Sequence, residues 1–112
     1  MRSKRKRMVI VLGAGVGQVN GVYTQDSPHR YSKPGTWREN DVMFLLSKIG
    51  RRWYIWIQSR SICFYCCIKS DGSMSPMWKS TTESEHYDDD DDSVGDCQHM
   101  GAEPAPAFVW SI

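Results

Sequence analysis

Long apolar runs are missing from this chain. The longest early one, Met8-Val9-Ile10-Val11-Leu12, falls short of the roughly 18–20 residues that cross a bilayer and of the ~7-residue minimum of a signal-peptide core. No Asn-X-Ser/Thr acceptor occurs either. Histidine is scarce, at 3 residues in separate turns, whereas acid–base catalysis wants His or carboxylates converging on a cleft. The expectation is a soluble, non-membrane, cytoplasmic or nuclear protein that is not an enzyme and carries no cofactor. The cysteines number 4, and Cys63, Cys66 and Cys67 crowd into one predicted strand, where disulfide geometry is rarely met. Reduced thiols are expected.

What is present is enough apolar residue, 40% of 112, for one core and not two. The net charge of +1 conceals a polarity: Met1 to Arg60 holds 12 Lys or Arg against 3 Asp or Glu, and Ser61 to Ile112 holds 2 against 10. Such separation implies an internal electrostatic contact or two differently charged partner surfaces. The basic excess begins with Arg2, Lys4, Arg5, Lys6 and Arg7, like charges that bury nothing and predict a disordered arm.

After that arm, Met8 to Leu12 reads as a buried strand stopped by Gly13-Ala14-Gly15-Val16-Gly17. A dinucleotide fingerprint would need a third glycine where Gln18 stands and a helix beyond it; Asn20-Gly21 between β formers follows instead. Ser27-Pro28 and Lys33-Pro34-Gly35 read as turns, with Tyr31 and Trp37 as anchors of short extended pieces. Asp41 to Ile49 is assigned to a strand by its length and its bracketing by Asn40 and Gly50.

The centre of the chain is Arg51 to Ile68, two runs of aromatic and β-branched residues flanking Gln58 to Ser61, a β-hairpin pattern. Alternation of side chains along a strand pairs Ile57 with Ile62, Ile55 with Phe64 and Trp53 with Cys66. The opposite face then carries Tyr54, Trp56, Cys63, Tyr65 and Cys67. It is either covered by another layer or a binding platform formed by Tyr54, Trp56 and Tyr65. The same alternation puts Cys63 and Cys66 on opposite faces, which argues against a zinc site with Cys97 and His99 despite the C-x-x-C spacing. A nucleophilic role for Cys63, Cys66 or Cys67 needs a neighbouring cation or base, and Arg60 and Lys69 are the nearest in sequence.

Asp71-Gly72 and Ser75-Pro76 mark a turn before a short strand around Trp78. The acidic run Asp88 to Asp92 then lacks the glycine and glutamate of a calcium loop. Pro104-Ala105-Pro106 stiffens the return to Ala107-Phe108-Val109-Trp110, a final strand that would pair beside the first and hide sheet edges. The organisation is a basic arm over 1–7, an antiparallel β domain over 8–79, an acidic disordered loop over 80–103 and a closing strand over 104–112. The fold class is all-β, a small antiparallel meander sheet, closed as a barrel or as a two-layer sandwich.

The opening Val9-Ile10-Val11-Leu12-Gly13-Ala14-Gly15, then Val19-Asn20-Gly21-Val22-Tyr23, Trp53-Tyr54-Ile55, a tryptophan after a proline and Glu103-Pro104-Ala105-Pro106 together resemble a small "VNG-Y … WYI … PAP" β-repeat module found in large proteins of unicellular eukaryotes. The resemblance implies a domain that occurs in several copies and supplies no catalytic residues. Where such modules follow WYI with glycine, an acidic residue and a tyrosine pair, this chain has Trp56, Ile57 and Cys66-Cys67.

By elimination, the expected function is a non-catalytic protein-binding or scaffold module, with a protein partner or larger assembly. The alternative is nucleic-acid binding, with Arg2, Lys4, Arg5, Lys6, Arg7, Arg51, Arg52 and Arg60 on the phosphates and the aromatic face stacking bases.

Overall fold

In the computed structural model, residues 7–67, 77–81 and 97–111 are described. Their strands form one all-β meander sheet curled into a half-barrel. The strands are β1 (Met8–Leu12), β2 (Gly21–Ser27), β3 (Arg30–Trp37), β4 (Asn40–Ile49), β5 (Arg52–Ile57), β6 (Ile62–Cys67), β7 (Trp78–Ser80), β8 (Gln98–His99) and β9 (Ala107–Ser111). Their order is β7-β6-β5-β4-β3-β2-β1-β9, antiparallel throughout, with the two-residue β8 added parallel to β6. The closing strand thus lies beside the first, Val11 opposite Phe108 and Val9 opposite Trp110. Among the described residues there is no helix long and apolar enough to cross a membrane.

Alternation along each strand builds the concave core. Val9 and Val11, Tyr23, Tyr31, Phe44 and Leu46, and Trp53, Ile55 and Ile57 all turn inward and are buried together. Burying a side chain of this size stabilises the fold by about 1.5–3 kcal/mol over leaving it exposed. Across the open seam, the Trp78 ring on β7 and the Phe108 ring on β9 meet with centroids 4.9 Å apart. Side-chain packing therefore bridges the two ends of the sheet, where no strand pairing between β7 and β9 is present.

One end of the half-barrel is fastened by a strap. Residues 97–105 cross from the β6 edge towards the loop after β1, where the Gly15 N–H donates to the Pro104 carbonyl at 2.9 Å. The Tyr65 hydroxyl accepts from the Val16 N–H at 3.0 Å and donates to the Ala102 carbonyl at 2.6 Å. Two glycines make this approach possible: a Cβ on Gly15 would fall on the Glu103 carbonyl oxygen, and one on Gly101 on the Phe64 carbonyl oxygen.

Several local expectations are corrected. Lys33-Pro34-Gly35 is not a turn but the middle of β3. Proline is tolerated there because β3 loses its β2 partner beyond Ser32, leaving no ladder bond for the missing N–H to make. The chain reverses instead at Arg38 and Glu39, whose φ values of 50° and 70° form a tight left-handed turn without glycine. The stretch read as an acidic loop over 80–103 is structured at both ends: Ser80 belongs to β7, the Thr81 N–H donates to the Phe64 carbonyl, and β8 pairs with β6. Asp88 to Asp92 lie outside the described residues.

Candidate functional site

The β5–β6 hairpin departs from simple alternation at one residue. Ile57 faces Ile62 as expected, but Trp56 faces Cys63 and Ile55 faces Tyr65, so Phe64 is the extra residue of a β-bulge. Phe64 and Tyr65 consequently both enter the concave core, while Cys63 and Cys66 share the convex face. The expected pairings of Ile55 with Phe64 and of Trp53 with Cys66 do not form.

This bulge dissolves the aromatic platform. Tyr65 points into the barrel and ties the strap, whereas Tyr54 and Trp56 lie on the other face. Nor are the latter available to a ligand: Tyr54 is 0% and Trp56 6% exposed. They pack with Leu45, Cys63, Cys66 and Cys97 as a second small core, in which Cys97 comes from the strap. The Trp56 indole N–H donates to the Ser47 hydroxyl at 2.8 Å. Of the two readings of this face, covered or binding, the covered one describes it.

The bulge also reverses the argument by which Cys63 and Cys66 were set on opposite faces. They now share a face with Cys97, yet among the described residues no group of three His, Cys, Asp or Glu side chains is arranged to hold a metal. All four cysteines are buried and unbridged. Burial pushes the Cys63 thiol well above its ordinary value, and the neighbouring Cys66 and Cys97 push it further, outweighing the hydrogen bonds from Thr81 and Tyr65. A nucleophilic thiolate needs the opposite shift.

A groove of about 670 Å³ runs over the convex side of β3 and β4, floored by Pro34, Gly35 and Met43 and walled by Ser59. Its ionisable lining residue is Asp41, so it offers no acid–base pair. A hollow of about 270 Å³ beside it holds Asp26 and Arg30, already joined by an ion pair at 2.9 Å. Desolvation raises the Asp26 pKa, but hydrogen bonds from Arg30 and Ser32 and the Arg30 charge outweigh it and hold the carboxyl below its ordinary value.

The predicted cationic residues divide between the two ends of the sheet. Arg7 precedes β1 and is anchored by the Gln25 N–H donating to its carbonyl at 2.8 Å. Register places the starts of β1, β3 and β5 at one end, together with the close of β4. Arg7, Arg30, Lys48, Arg51 and Arg52 therefore share that end, where Asp26 is the described carboxylate. The Lys48 N–H donates to the His29 carbonyl at 3.0 Å and links the two turns there. Arg60 lies at the opposite end, after β5, and so does not join them. Arg2, Lys4, Arg5 and Lys6 lie outside the described residues.

Absent from the sequence reading is a bare apolar row on the convex side of β9, β1 and β2. Ile10 stands directly opposite both Val109 and Val22, with Met8 and Leu12 on either side of it along β1. Met8, Leu12, Val22 and Val109 are between 39% and 49% exposed. The signal was present in Met8 to Leu12, apolar at every position where a sheet with one wet face alternates. Comparison with protein-family models, with curated proteins and with solved structures finds no match for this chain.

Proposed function

We propose that this protein is a non-catalytic protein-binding module whose contact surface is the convex face of β9, β1 and β2. The observation that carries this reading is the apolar row Val109, Ile10 and Val22, aligned across three strands by their register, with Val109 and Val22 exposed on either side of the half-buried Ile10. Contiguous exposed apolar surface of this kind is characteristic of interaction sites. The buried thiols and the groove with its single ionisable residue support a non-catalytic role. The test is affinity capture from native cells with the wild-type chain and with Val22→Lys/Val109→Lys, both positions being solvent-facing. Proteins held by the first and lost from the second are the expected outcome; an identical set on both baits refutes the surface.

The gathering of Arg7, Arg30, Lys48, Arg51 and Arg52 at one end favours one alternative, binding to nucleic-acid phosphates without base stacking. Five neutralised phosphates would give a log–log salt slope of about −4.5 on duplex DNA and about −3.5 on single strands. A gel shift with the chain and with its Asp88 to Asp92 replaced by asparagine tests it; no shift with either form removes the alternative.

A further inference from the structure

Resting on the protein-binding reading, we infer that β9 is an acceptor edge: it takes an extended strand of a partner polypeptide whose apolar residues continue the Val109–Ile10–Val22 row and whose acidic residues lie at the cationic end. Three observations meet at this edge. First, β9 pairs with β1 on one side and with no described strand on the other, so its outer row of backbone N–H and C=O groups is offered for pairing. Natural edges are blunted by charge, proline or a bulge, but Ala107-Phe108-Val109-Trp110-Ser111 contains no charge and no proline, and its register with β1 is unbroken.

Second, the apolar row begins at this edge. A strand laid against β9 sets every second side chain on the convex face, next to Val109 and in line with Ile10 and Val22. Main-chain hydrogen bonds then supply affinity and the row supplies selectivity, the division of labour in strand addition. On the concave face Phe108 packs on Trp78 and Trp110 meets Tyr31 at 5.8 Å, while Trp110 remains 48% exposed.

Third, charge fixes the partner's chemistry. Arg7 directly precedes Met8, the first residue of the central strand of the row, and stands at the end shared by Arg30, Lys48, Arg51 and Arg52. Met8 is paired with Ser111 at the end of β9, so both strands of the row reach the cationic end together. A strand antiparallel to β9 enters at that end, which places its acidic residues at its own N-terminal side.

The test uses the full chain and a fluorescent peptide with three glutamates followed by seven alternating valines and threonines, read by anisotropy. Saturable binding is expected. It should weaken at least tenfold when alternate peptide nitrogens are methylated, when the glutamates become lysines, and when the protein carries Val22→Lys/Val109→Lys. Equal binding of the methylated peptide overturns strand addition; if the lysine variant still weakens it, the contact surface stands alone. Lysine-headed peptide binding as well as the glutamate-headed one overturns the acidic partner. No saturable binding overturns the inference without touching the capture experiment. So does a stable dimer that the peptide cannot dissociate, which would make a second copy the occupant, or preferential binding to single-stranded DNA or anionic vesicles.

Discussion

Removing one oxygen atom from Tyr65 should unfasten one end of the half-barrel. In Tyr65→Phe the ring still fills its place in the core, but the Val16 N–H loses its acceptor at 3.0 Å and the Ala102 carbonyl its donor at 2.6 Å. Val16 is buried, so its abandoned N–H costs about 1–3 kcal/mol; the more exposed Ala102 carbonyl regains water and loses only the net value of a hydrogen bond, about 0.5–1.5 kcal/mol. The sum is a destabilisation of about 1.5–4.5 kcal/mol, a shift of roughly 1–2 M in a urea midpoint. Tyr23→Phe is the internal control. That hydroxyl is equally buried but makes one bond, to the Val19 carbonyl at 2.7 Å, and its loss should cost about half as much. Hydrogen exchange separates the strap from general weakening: the Val16 amide should exchange faster in Tyr65→Phe beyond the change in global stability, and not in Tyr23→Phe. A Tyr65→Phe midpoint within experimental error of wild type, or a Val16 amide that keeps its protection relative to the global value, refutes the reasoning.

Glu39→Gly should stabilise, since Glu39 is held at φ 70° where a side chain costs about 1 kcal/mol; a melting temperature raised by about 4 °C is expected. Gly101→Ala should do the reverse by roughly 3 kcal/mol or more, because its Cβ would fall on the Phe64 carbonyl and within 2.8 Å of the Thr81 backbone. Gly17→Ala, with nothing within 4 Å, should be neutral or mildly stabilising in the same urea assay. Burial raises the pKa of both Cys63 and Tyr23 above their ordinary values of 9.0 and 10.0, so the unfolded chain gives up these protons first. Stability is therefore fully present below about pH 9 and falls as pH rises, by up to about 1.4 kcal/mol per pH unit for each group. A urea midpoint flat from pH 8 to 10.5 contradicts that.

The strands were legible where a run of β-branched and aromatic residues met a turn residue: Met8 to Leu12 before Gly13, Asp41 to Ile49 before Gly50, and both arms of the central hairpin. What was not legible arose from contacts between distant segments. Phe64 is no different in kind from its neighbours, and the bulge at it coincides with a change of partner along the edge of β6, from β8 beside Ile62 and Cys63 to β7 beside Tyr65 to Cys67. There the Phe64 carbonyl is taken by the Thr81 N–H. A slip of one residue exchanges the two faces of a strand, so this single irregularity decided both the fate of the aromatic platform and the grouping of the cysteines. The turn at Arg38 and Glu39 escaped notice for a related reason: its left-handed backbone is imposed by the pairing of Trp37 with Asn40, not requested by glycine or asparagine.

The convex side of the sheet is what finally directs attention to β1. Over β3 and β4 the same side carries the polar Arg30, Ser32 and Thr36 but also Pro34 beside the exposed Met43; over β5 it carries Tyr54 and Trp56, apolar but buried in the second small core. The convex side is therefore mostly polar where it is wet over β3 and β4, and covered where it is apolar over β5. Over β9, β1 and β2 the apolar residues stand in register across three strands. A row that breaks this rule, beside an edge strand without the usual defences, costs solubility and invites unwanted pairing. Such a feature is best accounted for if a partner strand normally covers it, and this is why the function is sought at β9 rather than in the aromatic hairpin at the centre of the sequence.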